Sequence, residues 1–219
     1  MKYEKQVFAQ YDSRCIRVYQ AYKPAIAEEA VCLQRFGKAF NVNRMTWIKP
    51  SFLWMMYRSN WGTKKDQECI LALDIWQTTF CALLEQAVLT SPDSPVCQGA
   101  QWERAFGAAA VYCQWDPDRS INGSPIGRAA IQIGLKGEAL EELLDSGICR
   151  IEDLTPQVRK WNTQRKAGKL SARQLPVEKL FPCLRRSWSW PASGSPRPET
   201  PPRPEPAGRN RSIPCWRRG

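Results

Sequence analysis

The sequence predicts an α+β domain with a mixed β-sheet core, flanking helices and a disordered C-terminal tail. Segments with the periodicity of strands and of helices alternate, but without the regular spacing of a doubly wound parallel sheet. Residues 109–115 and 128–135 have strand character and flank an Asn-Gly turn, which predicts a hairpin. The hydrophobic fraction of 43% is high enough for a packed core. We therefore expect one domain over residues 5–182 and a Pro/Arg-rich disordered tail over residues 183–219.

Periodicity in the first half of this domain predicts three strands and three helices. Pro24 and Pro50 each suit the first position of a helix, where the missing N–H would have no partner. The helix after Pro50 is apolar on nearly every face, which predicts burial. Thr78 and Thr79 can cap the third helix. The predicted elements are strands 15–22, 45–49 and 68–76 and helices 24–36, 50–59 and 78–88.

The second half of the domain begins with residues 90–108, whose Pro and Gly signals predict a loop. The strand 109–115 should deliver the segment Asp116-Pro117-Asp118-Arg119 to its C-terminal end. Gly147 is suited to end a helix. The remaining predicted elements are strands 128–135 and 148–151, a helix over 138–145, and a basic helix from Thr155 to about Gly168.

The stretch from Arg44 to Arg58 combines cations, aromatic rings and hydroxyl groups in a way that an ordinary core segment does not. At helical spacing, Ser51, Trp54 and Arg58 share one face of the predicted buried helix. A guanidinium group on a buried helix requires an anionic partner, either a carboxylate of this protein or a phosphate of a ligand. The stretch therefore predicts a site, although it does not name a reaction.

The net charge of +11 is unevenly distributed along the 219 residues. Residues 183–219 hold 8 Arg and 2 Glu, so this segment carries +6 and the other 182 residues carry +5. The tail could contact RNA or an acidic surface, but its composition favours a solvated tail without a dedicated function. The high pI is therefore a weak argument for nucleic acid binding by the domain itself.

The chain contains 9 Cys and no His. The cysteines are spread singly with no C-x-x-C pair, which favours reduced thiols in a cytoplasmic or nuclear protein over a zinc ribbon or a secreted disulfide framework. The absence of histidine excludes Ser-His-Asp and Cys-His catalysis, a histidine-bound metal and imidazole acid–base chemistry. The sequence shows no apolar leader and no run of membrane-spanning length, so we expect no membrane partner.

Six short segments carry a family resemblance. They are Val18–Tyr22, Arg44–Arg58, Gln67–Glu68, Gln114–Pro117, Ile131–Leu135 and Leu175–Glu178. Together they resemble the domain of unknown function 4291 family over residues 10–182. The resemblance implies the extent of the domain and no mechanism. The chain departs from the family pattern at Asp118, where the family tends to have Glu, and the pattern stops after Pro182.

Two groups of polar side chains are candidates for a site. Carboxylates are the main acid–base candidates in a chain without histidine, and guanidinium groups suit phosphates. Internal ion pairs, turn formation by Asp116 and core packing of the aromatic rings are the structural alternatives. The candidates for catalysis are Glu68, Gln114 and Asp116, and those for ligand binding are Arg17, Tyr22, Arg44, Thr46, Trp47, Lys49, Ser51, Arg58, Arg119 and Arg128. We expect Arg44, Lys49, Arg58, Gln114 and Asp116 to line one cleft.

Two functional hypotheses follow from these residues. One is an enzyme that acts on a nucleotide-like ligand, with an ADP-ribosyltransferase-like reaction on NAD as the best fit, since Gln114-Trp115-Asp116 is similar to the Gln-x-Glu motif of that superfamily. The carboxylate would stabilise an oxocarbenium ion while the cations hold the diphosphate. The other is a non-catalytic module that binds nucleic acid or a phosphorylated partner. A carboxylate in the site favours the enzyme, because a simple phosphate binder gains nothing from it.

Overall fold

A computed structural model describes residues 5–91 and 99–182 of this chain. The strands are β1 Phe8–Ala9, β2 Cys15–Tyr22, β3 Thr46–Ile48, β4 Cys69–Trp76, β5 Val88–Leu89, β6 Val111–Arg119, β7 Pro125–Leu135, β8 Ile148–Asp153 and β9 Lys179–Leu180. The helices are α1 Pro24–Leu33, α2 Phe52–Ser59, α3 Gln77–Gln86, α4 Gly99–Ala108, α5 Glu138–Glu142 and α6 Thr155–Lys166. A π-helical turn at Leu143–Gly147 continues α5, and a 3₁₀ turn covers Ala172–Gln174. The predicted tail over residues 183–219 lies outside the described residues.

Within the described residues, two sheets form the framework of the domain. Strands β2, β4 and β8 make an antiparallel sheet in the order β2-β4-β8, and the second sheet has the order β3-β7-β6-β5, in which β5 runs parallel to β6. The two sheets are joined where the Tyr19 N–H donates to the Lys49 carbonyl at 2.7 Å. Near the ends of the domain, β1 pairs with β9. The α+β class and the mixed sheet are therefore confirmed.

Apolar side chains pack on both faces of the β2-β4-β8 sheet. On one face, Val18 and Leu73 join the larger core, which also contains Ile133 of β7 and Phe80 of α3. On the other face, α2 and α6 cover the sheet through a second cluster that includes Tyr19, Phe52, Met56, Val158 and Trp161. The burial of α2 on this sheet follows from its almost continuous apolar sequence, as predicted. This packing fixes the position of α2 beside the second sheet.

The structure corrects three details of the predicted elements. The predicted loop over 90–108 is wrong for its second half, where α4 forms; Trp102 and Phe106 stack at a spacing of four residues, with ring centroids 5.0 Å apart. The helix expected to start at Pro50 begins later, because Ser51 is its N-cap and accepts the Trp54 N–H. Neither predicted threonine caps α3, which starts at Gln77 without a side-chain cap.

Strand β6 is longer than the sequence predicts, and this matters for the site. The segment from Asp116 to Arg119 continues the strand instead of following its end. Asp116 lies opposite Ala130 of β7, and the register shifts only between Pro117 and Arg119. Side chains two residues apart in a strand share a face. Gln114, Asp116 and Asp118 therefore project from the same side of the sheet.

The cysteines only partly follow the expectation of reduced thiols. Cys15, Cys69, Cys113 and Cys149 are reduced, whereas Cys81 is disulfide-bonded, so the expectation is wrong at that position. The Sγ atoms of Cys15 and Cys149 lie 2.9 Å apart, although these residues are 134 positions apart in the chain. As for the membrane, the helices of residues 5–91 and 99–182 include none with the length and apolar character needed to cross a bilayer.

Candidate functional site

A polar surface covers one side of the β3-β7-β6 part of the second sheet. Its members alternate with the residues that enter the larger core, such as Ile48, Ile131 and Ile133. The register places Gln114 opposite Gln132, and Lys49 directly follows Ile48, which pairs with Ile133. We call this surface the polar face and define it by Lys49, Gln114, Asp116, Asp118, Arg128 and Gln132.

Asp116 is held at the centre of the polar face by two amides. The Gln114 Nε2 group donates to Asp116 Oδ1 at 3.1 Å, and the Gln132 Nε2 group donates to Asp116 Oδ2 at 2.8 Å. Its half-buried side chain forms no ion pair within the described residues. Neutral amides keep the charge of a carboxylate while restricting its orientation. Asp116 is therefore an oriented anion whose charge is not cancelled by a contacting cation.

Lys49 is buried on the same face, with 8% of its surface exposed. Its Nζ donates to the Trp47 carbonyl at 3.0 Å. Burial and then the positive charge of Arg58 lower the pKa of Lys49 to about 7, while the negative charge of Asp116 acts in the opposite direction. The amine therefore loses its proton more readily than that of an exposed lysine, and a bound anion would favour its charged form.

Arg58 lies in the last turn of α2 and is exposed to solvent. It is near enough to Lys49 to lower the pKa of that amine, yet it forms no ion pair with any carboxylate of residues 5–91 and 99–182. On the same face of α2, the Trp54 Nε1–H is buried and has no hydrogen-bond partner in the described part of the chain. The charges of Arg58 and Asp116 therefore both act on the buried Lys49 amine.

The other carboxylate of the polar face belongs to a closed network. Asp118 accepts a hydrogen bond from Ser51 Oγ at 2.8 Å and forms an ion pair with Arg128 Nε at 2.7 Å. Arg128 also pairs with Glu178 at 2.7 Å, and Glu178 accepts the Phe52 N–H at 2.6 Å. Burial raises the pKa of Glu178 to about 7, against the lowering effects of that N–H and of Arg128. The network holds the start of α2 against the sheet and leaves little capacity for a ligand.

Several other predicted residues have internal partners away from this cluster. Arg17 pairs with Asp74 at 2.7 Å and Glu152 at 3.0 Å on the β2-β4-β8 sheet. Tyr22 and Thr46 share a hydrogen bond of 2.9 Å between their hydroxyl groups. Such pairing is the structural alternative to ligand binding that the sequence left open for each of them.

The remaining predicted residues lie at the edges of the site or outside it. Trp47 packs over Gly134, where an added Cβ would lie 2.8 Å from the indole ring. Glu68 accepts the Asp66 N–H within its own turn. Arg44 is exposed in the loop before β3, and the Arg119 guanidinium lies 3.9 Å from the ring centre of Tyr57.

Of the five residues expected to share a cleft, Gln114 donates to Asp116, and the charges of Arg58 and Asp116 act on Lys49. That these residues line one cleft stays a prediction. The structure also adds Gln132 and Glu178, to which the sequence interpretation assigned no role. Both lie in segments that carried the family resemblance, so the signal was present. Their partners are 16 and 50 residues away in the chain, and local spacing does not reveal such contacts.

The sequence comparisons agree with the extent of this domain. The chain belongs to the family described as Domain of unknown function (DUF4291), whose model matches residues 6–181. No curated protein matches the chain.

Proposed function

We propose that this protein is an enzyme that acts on a phosphate-bearing, nucleotide-like ligand bound at the polar face. The observation that carries the proposal is the placement of Lys49 and Arg58 near each other without an ion-pairing carboxylate in the described part of the chain. The cations Arg17 and Arg128 differ, since each is paired with two carboxylates. A phosphate group would compensate the two unpaired charges.

The arrangement reduces stability unless a ligand offsets it. Burying the Lys49 amine near a second cation costs free energy, and so does the unpaired Trp54 N–H. Groups that destabilise a fold in this way are concentrated at functional sites, where they serve binding or catalysis. A diphosphate could accept hydrogen bonds from Lys49 and Arg58 together.

Asp116 supports an enzyme over a simple binding module. A carboxylate weakens the binding of an anion, so its fixed position near two cations suits a reaction in which positive charge develops. ADP-ribosyl transfer from NAD is such a reaction and needs neither histidine nor metal. In it, Asp116 would stabilise the oxocarbenium ion, Gln114 would orient Asp116, and Lys49 and Arg58 would hold the diphosphate. Glu68, the third catalytic candidate, would act only if the ligand extended to its turn.

A non-catalytic module that binds nucleic acid or a phosphorylated partner is the alternative use of the same cations. The proposal further places the protein in the cytoplasm or nucleus, where nucleotides and NAD are abundant. Both hypotheses require anion binding at Lys49 and Arg58. They differ in whether Asp116 contributes to turnover or only opposes binding.

Calorimetry with ADP-ribose, ADP and pyrophosphate, and with adenosine as the uncharged control, tests the binding. Arg58→Ala should weaken the binding of the phosphate ligands by about 1.5–3 kcal/mol, the range for a charged hydrogen bond. Arg159→Ala removes the same charge from an exposed position of α6 and should leave affinity unchanged. Equal affinities for Arg58→Ala and the unmodified protein would contradict the assigned site.

An assay of NAD consumption separates the two hypotheses. If Asp116 is catalytic, Asp116→Asn should abolish turnover and leave the affinity for ADP-ribose nearly intact, because the amide preserves the shape of the side chain. If the protein is a binding module, the same change should tighten anion binding by removing repulsion, and NAD should not be consumed by the unmodified protein. That second result would reject the transferase.

A further inference from the structure

A cavity lies beside α2, away from the polar face. It has a volume of about 270 Å³ and lies between the C-terminal half of α2, the turn that joins β6 to β7, and α6. Its lining includes Tyr57, Asn60, Trp61, Asn122 and Arg165. At 3.6 residues per turn, the face of α2 that carries Leu53 and Tyr57 is directed away from the face shared by Ser51 and Met55.

The walls of this cavity combine aromatic rings with guanidinium groups. Tyr57 is 45% exposed, and the Arg119 guanidinium lies 3.9 Å from its ring centre. On the other side, the Arg165 guanidinium lies 5.2 Å from the ring centre of Trp61. Arg165 donates from Nε and one terminal nitrogen to Asn162 Oδ1, which holds the guanidinium in place.

Arg119 and Arg165, the cations at this cavity, form no ion pair within residues 5–91 and 99–182. The lining residues include no Asp or Glu. The Arg119 guanidinium donates from one terminal nitrogen to the Gly123 carbonyl at 3.3 Å, and its buried Nε–H has no hydrogen-bond partner among the described residues. Arg119 and Arg165 therefore keep donor capacity for an anionic group, whereas Arg17 and Arg128 use theirs within the protein.

We infer that this cavity binds one nucleotide unit, either free or within a single-stranded nucleic acid. Aromatic faces that can stack on a base, together with guanidinium groups that can contact a phosphate, are the shared chemistry of single-strand binding sites. The volume is slightly below the roughly 300–1,000 Å³ of pockets that enclose a whole drug-sized ligand, so it suits a single nucleotide and not a dinucleotide. The inference goes beyond the proposed function, because it uses none of the side chains of the polar face.

Fluorescence anisotropy with fluorescein-labelled single-stranded RNA and DNA of about eight nucleotides tests the inference. Calorimetry with the four nucleoside monophosphates distinguishes a free nucleotide from a polynucleotide. Tyr57→Ala should weaken binding about 5- to 150-fold, the equivalent of one lost base–aromatic stack. Tyr57→Phe keeps the ring and should retain the affinity. Thermal unfolding of each variant shows whether the fold is preserved.

A second pair of variants tests the role of the cation. Arg165→Gln should weaken binding and reduce its dependence on salt, since one phosphate contact is lost. Arg159→Gln removes the same charge from an exposed position of α6 and should bind like the unmodified protein. Absence of binding to all probes, or equal losses in Arg165→Gln and Arg159→Gln, would overturn the inference.

Discussion

Lys49→Met should stabilise the protein, and the gain should depend on pH. The folded pKa of Lys49 is lowered to about 7 from its ordinary value of 10.5. Between these two values the unfolded chain binds more protons than the folded protein, so the stability of the unmodified protein rises with pH across this window. The penalty of burying the amine is complete below pH 7 and is relieved as the pH approaches 10.5. Methionine has a similar length and carries no charge to desolvate.

The magnitude follows from the pKa difference. At pH 7 the penalty is roughly 4 kcal/mol, and at pH 9 it is roughly 2 kcal/mol, since each pKa unit corresponds to about 1.4 kcal/mol. Loss of the hydrogen bond from Nζ to the Trp47 carbonyl offsets about 1 kcal/mol of the gain at both pH values. The variant should therefore be more stable by about 3 kcal/mol at pH 7 and by about 1 kcal/mol at pH 9.

Urea unfolding followed by tryptophan fluorescence at the two pH values measures both differences. Lys65→Met, at an exposed position, is the matched control and should show little change at either pH. A difference between Lys49→Met and the unmodified protein that is the same at pH 7 and pH 9 would show that the amine does not lose its proton on folding. If the polar face binds phosphates, Lys49→Met should also lose the stabilisation that ADP-ribose provides, despite its higher intrinsic stability.

Three further expectations concern the framework around the site. Glu178→Ala should destabilise the protein by about 1–3 kcal/mol, because the Phe52 N–H and one terminal nitrogen of Arg128 lose their acceptor, although Arg128 keeps Asp118. Urea unfolding measures this loss, and a value below about 1 kcal/mol would contradict the network. Gly134→Ala should lower the free energy of unfolding by about 1–3 kcal/mol, because the added methyl group would contact Trp47. Adding Trp47→Leu to this variant should recover part of the lost stability. Additive losses in a double-mutant cycle would refute the contact. Oxidation by diamide should form a disulfide between Cys15 and Cys149, because their sulfur atoms are already in contact. Mass spectrometry of non-reduced peptides should detect this disulfide first. Diamide adducts on the separate thiols, without the disulfide, would contradict the pairing.

Asp116, at the centre of the polar face, and Asp118, in the closed network, lie two residues apart on β6. Asp118 has an arginine partner and a hydroxyl donor, whereas Asp116 is held only by amides. The two carboxylates are therefore suited to different tasks, the first to positioning α2 and the second to interaction with a ligand. The family of unknown function to which the chain belongs includes both positions within the matched residues.

Local sequence determined most of the secondary structure and the polar character of the site. Alternation of apolar side chains predicted strands β2, β4 and β7 nearly to their ends, since strand periodicity requires only neighbouring residues. The Pro and Gly signals of residues 90–108 predicted a loop where α4 forms, although Trp102 and Phe106 have the spacing of a helical pair. The residue types in the segment from Arg44 to Arg58 also indicated a site without any tertiary information.

Tertiary structure alone decided which cations are paired and which are not. The sequence makes Arg17 and Arg58 equally good candidates for binding a phosphate. In the structure, Arg17 contacts Asp74 on the neighbouring strand, although the two residues are 57 positions apart in the chain. Arg128 meets Glu178 at a separation of 50 residues. Ion pairs between distant residues depend on the strand register and on how the chain folds back on itself. Both are properties of the packed core as a whole, so they leave no local pattern in the sequence. For the same reason, the effect of Arg58 and Asp116 on the pKa of Lys49 depends on how the sheet and α2 pack together, which no local pattern shows.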